Sequence, residues 1–193
     1  MKKLEVYRIL RVNVTPDLLA SSIPLEREII LSALDRLVDS GYVDETYRLT
    51  QYGRRLIRVG LIGGVFDILH PGHIATLEAA KARVDLLSVV VARDRTVFLN
   101  KRRMPLNNEG FRLKMVSSLK PVDVAILGSV EDFMEPVRLI KPDVIFLGYD
   151  QSLPKQVSKE LDINGVSIEK LEIEVPGIKS SMLLRKVLDL LGY

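Results

Sequence analysis

The spacing of apolar residues changes character near residue 57 of this 193-residue chain. Before it, apolar positions follow a helical period: Leu4, Tyr7, Leu10 and Val14 lead to Thr15-Pro16, a cap followed by a proline suited to a first helical turn. A short helix from Asp17 to Ser21 is predicted next. A longer one follows, opened by Ser22 and Pro24, with Ile30, Leu34, Leu37 and Val38 on its apolar stripe and Gly41 as its stop. The stretch YVDETYRLTQYGRRLI then predicts a hairpin turning at Asp44-Glu45 and a last helix capped by Thr50.

Beyond residue 57 the pattern becomes apolar runs alternating with helical stretches. VGLIGG (59–64), LLSVVVA (86–92), VAILG (124–128), VIFLG (144–148) and SIEKLEI (167–173) predict strands. Several are near-continuous β-branched and leucine runs, as strands buried on both faces should be. Helices are predicted at 72–83, 108–119, 130–140 and 154–162, and after Ser180. This alternation specifies an α/β domain over 57–193, a Rossmann-like parallel sheet with helices on both faces and its site at the carboxyl ends of the strands. The preceding piece, 1–56, with its LVDSGYV and YRLTQYGRRLI phrases, resembles the small winged-helix domains of archaeal regulators, which implies a fold and not a function.

Composition adds exclusions. Hydrophobic residues make up 47% of the chain without low-complexity tracts, so a sizeable core is expected. The absence of cysteine removes disulfides, thiolate metal sites and a cysteine nucleophile. No apolar run approaches the ~20 residues needed to span a bilayer, and MKKLEVYRIL lacks the core of a signal peptide. A soluble, cytoplasmic protein is expected. The net charge of +3 hints only weakly at anionic partners.

Chemistry is concentrated in one segment, because both histidines of the chain fall within GGVFDILHPGH, Gly63 to His73. Glycines at a strand end let backbone N–H groups approach a phosphate, and the helix predicted from Pro71-Gly72 offers unpaired donors and a partial positive charge. His70 and His73, three apart, can both serve that helix end. Paired imidazoles there can stabilise the charge that develops in phosphoryl or nucleotidyl transfer. An HxxH pair also suits zinc, but with no cysteine or third histidine such a site would need carboxylates.

GVFDILHPGH matches the GxFDxxHxGH signature of the nucleotidyltransferase superfamily that includes cytidylyltransferases and several adenylyltransferases. VVVARDRTV, KPVDVAILGS and IKPDVIFLGYDQ resemble the segments that follow in that family, and the ARD, LKPVDVAILGS and GYDQ phrases are similar to archaeal FAD synthases. The resemblance implies that Gly64, Val65 and Phe66 set backbone groups against nucleotide phosphates, with Gly72 between the two histidines at the triphosphate. Asp67 would organise the loop or help hold a metal, and Asp94 would approach the substrates. Lys101, in the basic loop NKRRMP, and Arg112 would neutralise phosphates beside His70 and His73. Gly148, Asp150 and Gln151 would face base and ribose, and Ser180 and Ser181 of GIKSS would bind outer phosphates.

Simpler readings stand beside these. Asp67 could merely cap backbone amides, Lys101 to Arg103 could be a solvated loop, Arg112 could pair with a carboxylate, and Ser180 and Ser181 could be plain N-caps. The family usually places an acid two before the arginine aligned with Arg112, where this chain has Gly110, and Glu109 comes one position earlier. Some archaeal FAD synthases carry C-terminal cysteines, which this chain lacks.

The resemblance implies transfer of a nucleotidyl group from a nucleoside triphosphate to a phosphate-bearing acceptor with Mg²⁺ and release of pyrophosphate, FMN and ATP giving FAD. A cytidylyltransferase using CTP with a glycerol-, ethanolamine- or sugar-phosphate is the alternative, and a nucleotide- or flavin-sensing transcription regulator a third. A homodimer is also implied. Nucleic-acid binding is disfavoured: residues 1–58 carry ten Lys and Arg against eight Asp and Glu. The helix that would read DNA sets Glu26, Glu28, Asp35 and Asp39 against Arg27 and Arg36.

Overall fold

The computed structural model describes residues 1–173 together with Met182, Arg185, Asp189 and Leu190. The chain divides into two compact units, Met1–Arg58 and Val59–Tyr193. The first holds helices α1 (Lys2–Ile9), α2 (Pro16–Ser22), α3 (Arg27–Asp39) and α4 (Gln51–Arg54). Thr15 and Thr50 cap α2 and α4 through side-chain oxygens. Leu4, Tyr7, Leu19, Ile30, Leu34 and Val43 form its core. Leu10, expected on the apolar face of α1, is 45% exposed because the helix ends at Ile9 and Leu10 is its C-cap. The expected hairpin is reduced to a single antiparallel bridge, Val43 to Leu49, its turn tied by Asp44, whose carboxylate accepts from Thr46 and Arg48 N–H groups.

Two of these helices end identically. In α3, Gly41 N–H donates to Val38 and Tyr42 N–H to Leu37, with Gly41 at φ +71°. In α1, Arg11 N–H donates to Arg8 and Val12 N–H to Tyr7, with Arg11 at φ +56°. Both are Schellman closures, which favour glycine at the left-handed position. A side chain there costs about 1–2 kcal/mol. Within this unit the buried Glu5 carboxylate pairs with Arg8 at 2.7 Å and Arg54 at 3.3 Å, tying α1 to α4.

The second unit contains β1 (Val59–Gly64), α5 (Pro71–Lys81), β2 (Leu86–Val91), α6 (Asp94–Lys101), α7 (Glu109–Ser117), β3 (Val124–Leu127), α8 (Met134–Ile140), β4 (Val144–Gly148), α9 (Lys155–Ile163) and β5 (Ser167–Leu171). All five strands are parallel, in the order β3-β2-β1-β4-β5. The central strands bury nearly every residue, whereas edge strand β5 buries only Leu171, which is why SIEKL reads as polar yet pairs. Two aspartates before strands hold the register: Asp143 accepts from Val59 N–H and Asp123 from Leu87 N–H, both at 2.6 Å. The order reverses between β1 and β4, which opens a crevice at their carboxyl ends.

One helix was not anticipated. The pattern puts Lys101 in a loop, but it closes α6. The sequence around Arg93 offers no local side-chain cap, and the N-terminal amide of α6 is held instead by Glu109, fifteen residues on.

Candidate active site

β1 runs into Gly63-Gly64-Val65-Phe66, where Phe66 takes the left-handed conformation, φ +54°, and turns its ring back beneath the strand end. A Cβ on Gly64 would sit 2.7 Å from that ring, so glycine is required here by close approach. Gly64→Ala is therefore expected to displace Phe66 from the core, lowering the unfolding free energy by about 1–3 kcal/mol and weakening nucleotide binding. Urea denaturation and ligand titration would check both effects.

The chain next reaches α5, with His70 as N-cap making no side-chain capping bond, Pro71 and Gly72 in the first turn, and His73 one turn up. The two imidazoles lie with centroids 3.9 Å apart, their planes tilted by 32°, and the Phe66 ring centroid lies 5.3 Å from that of His73. Nδ1 of each ring is buried without a hydrogen-bond partner. Buried polar atoms left open in this way are uncommon, and these two flank an uncapped helix N-terminus. Burial lowers the pKa of His70 and, with the neighbouring His70 and Lys101 charges adding, pushes His73 down to about 4. Both rings are thus neutral at pH 7. Lys101, the last residue of α6, is exposed.

A depressed histidine pKa makes stability depend on pH. Between its ordinary 6.5 and about 4, His73 binds a proton in the unfolded chain but not in the native one. Its stabilisation is complete above pH 6.5 and is lost as the pH falls toward 4. Urea midpoints of the wild type should fall more steeply between pH 7.5 and 5 than those of His73→Asn. With two histidines in the chain, ring NMR signals would give both pKa values directly.

The loops around the pair are held by Arg112, which is fully buried. Its Nε donates to Asn107 O at 2.9 Å, Nη1 to Val65 O at 2.5 Å, and Nη2 to Ala92 O and Asp94 Oδ1, both at 2.7 Å. The guanidinium therefore ties together the segments after β1 and β2 and the approach to α7. Four of its five N–H donors thus meet protein oxygens, among them a carboxylate, the simpler reading of Arg112 that the sequence allowed. Asp94 and Glu109 are reciprocal caps, each carboxylate accepting the other's backbone N–H, at 3.2 and 2.9 Å. Glu109 also pairs with Arg93 at 3.1 Å. Asp94 is thus bonded to both Arg112 and Glu109.

Asp67 is likewise turned to the scaffold. Its carboxylate accepts from Leu106 and Asn107 N–H groups, both at 2.9 Å, and its carbonyl from the Asn107 side chain at 2.8 Å. Asn107, unremarked in the sequence reading, joins Asp67 to Arg112. Only the Asn-Asn pair before α7 hinted at it.

Across the crevice, Gln151 accepts from Gly148 N–H at 2.9 Å and donates to Gly63 O at 3.2 Å, closing β4 onto β1. Asp150 is exposed beside it. The structure thus brings Gly64, Val65, Phe66, His70, Gly72, His73, Gly148 and Gln151 to the switch point, whereas Ser180 and Ser181 lie outside the described residues. Among the described residues no three of His, Asp and Glu gather to hold a metal, and Asp67 and Asp94 already accept N–H donors. These residues therefore do not form a metal cage. No described helix is long and apolar enough to cross a membrane.

The family model for cytidylyltransferase-like proteins matches residues 61–186, taking in the whole crevice. The chain belongs to the cytidylyltransferase-like family. Relatives within it include an FAD synthase of Methanosarcina mazei, 43% identical over 145 residues that cover 72% of this chain and 94% of that protein. Another, from Thermoplasma acidophilum, is 44% identical over 141 residues, covering 71% and 98%. The crystal structure of a lipopolysaccharide core biosynthesis protein from Thermoplasma volcanium superposes with a TM-score of 0.55 at 41% identity, covering 61% of this chain and 97% of that one. The GVFDILHPGH segment lies within the matched residues. Residues 1–60 precede the matched segment.

Proposed function

We propose that this chain is an FMN adenylyltransferase: a phosphate oxygen of FMN attacks the α-phosphorus of ATP in line, the bond to the β-phosphate breaks, and FAD and pyrophosphate leave. The observation that carries this is the neutral, closely spaced pair His70 and His73, with unpartnered Nδ1 atoms, at the N-terminus of α5 that no side chain caps. Neutral imidazoles can donate N–H groups to triphosphate oxygens and follow the charge as it moves to the leaving pyrophosphate. Gly64, Val65, Phe66 and Gly72 supply close backbone approach, and Lys101, at the end of α6, supplies positive charge. Gly148, Asp150 and Gln151 border the nucleoside end. Arg112, Asp94 and Asp67 keep these segments in place. No general base is required, since a phosphate acceptor is already ionised at neutral pH.

The FAD synthase relatives favour adenylyl over cytidylyl transfer. Phe98, Met104, Leu106 and Phe111 are exposed around the basic run Lys101 to Arg103, a surface suited to an acceptor that joins an apolar ring system to a phosphate. Mg²⁺ would arrive on the triphosphate, as is usual for this small, strongly hydrated ion, and no step above depends on it. Pyrophosphate should be released when ATP and FMN are supplied together. Release only with CTP and a different phosphate ester would overturn the assignment of both substrates.

A further inference from the structure

The basic charge of residues 1–58 is unevenly placed. Residues 1–14 and 48–58 hold eight of the ten Lys and Arg with Glu5 as their one acid, whereas 15–47 hold Arg27 and Arg36 among seven acids. The fold gathers part of the basic set around a cleft of about 210 Å³ lined by Arg8, Arg11, Asn13 and Arg48, with Leu4, Val12 and Val14 as its apolar part. Arg8 is matched by the buried Glu5. Arg11 and Arg48 reach the cleft from an exposed helix end and from beyond the Asp44 turn. Arg11 occupies the left-handed position for which α3 uses Gly41. Arg102 and Lys141 take the same conformation at the ends of α6 and α8, where a cation also complements the helix dipole. Conformation alone does not single out Arg11. Its place in the cleft does.

We propose that this cleft is a second ligand site, built wholly within residues 1–58, for the phosphate of a small phosphate ester. Arg11 and Arg48 hold the dianion with charge-assisted hydrogen bonds, Asn13 adds an amide, and Leu4, Val12 and Val14 meet the apolar part adjoining the phosphate. The volume lies below the ~300–1,000 Å³ of pockets that engulf a whole drug-sized ligand, so the phosphate end enters and the remainder stays outside. Duplex nucleic acid fits less well, because α3 carries Glu28, Asp35 and Asp39 against Arg27 and Arg36 and the cleft is partly apolar. The site stands independently of the transfer reaction.

The test follows the backbone amide signals of Arg11, Asn13 and Arg48 in NMR spectra of the full chain titrated with AMP, FMN and inorganic phosphate. AMP or FMN should give saturable shifts at these signals, with inorganic phosphate weaker. Arg11→Gly should weaken the interaction about tenfold or more while its thermal midpoint holds or rises, since glycine suits that backbone position. Arg48→Gln should weaken it similarly. Unmoved signals with all three probes, undiminished binding in both variants, or shifts produced only by duplex DNA would each overturn the proposal.

Discussion

His73→Ala is expected to reduce kcat for pyrophosphate release from ATP and FMN by about 10²–10³-fold, the range for removing one donor from a preorganised anion site. The imidazole lies over the α5 N-terminus with Nδ1 open, and burial holds it neutral. A neutral ring gives little Coulombic attraction to bound ATP but can donate a directed hydrogen bond as charge develops. The loss should therefore fall on kcat and on kcat/KM about equally, with KM for ATP little changed. His70→Ala should act in the same direction. Because the rings touch at 3.9 Å between centroids, the double variant should lose less than the product of the single effects. Stopped turnover measurements with circular dichroism would check this, and near-normal kcat in a folded His73→Ala protein would remove the pair from the chemistry.

Arg112→Met is expected to cost about 3–5 kcal/mol of stability, the range for removing one partner of a buried ion pair. Three carbonyls and the Asp94 carboxylate would lose their donor together. Set against a total stability of about 5–15 kcal/mol for a folded domain, that is a fifth of the whole at the upper end and most of it at the lower. Arg112→Lys keeps the charge but offers a single ammonium where a planar fork reaches oxygens on three segments, so it should recover only part of the loss. Urea unfolding measures both. A protein of unchanged stability whose turnover had collapsed would restore Arg112 to direct contact with phosphate.

These two residues show where the sequence was sufficient and where it was not. The histidine pair was legible because its chemistry is local: both rings belong to one strand-turn-helix segment, and their spacing alone sets them at one helix end. The sheet was legible for a related reason, since strands buried on both faces must be largely apolar, and β1, β4 and, apart from Ser88, β2 are. Arg112 is picked out by its place in the motif order, but its bonding partners are not legible there. A buried arginine and an exposed one look alike in sequence, and only folding shows that Val65, Ala92 and Asn107 bring their carbonyls to it.

Helix α6 was missed for the same physical reason. Its terminal amide is held by Glu109 rather than by a neighbour in sequence, while the mutual capping of Asp94 and Glu109 depends on two helix starts meeting in space. Asp67, open in sequence to both a metal role and a loop role, is turned by Leu106 and Asn107 toward the loop. In the first unit, the helices follow from apolar spacing, but the cleft around Arg11 and Arg48 joins residues from opposite ends of the unit. Local periodicity and a contiguous motif determined the strands, most of the helices and the histidine pair, because each is encoded within a few turns of chain. Tertiary structure alone decided which charged groups face inward, because burial and hydrogen-bond partnership depend on what distant segments bring to the same point.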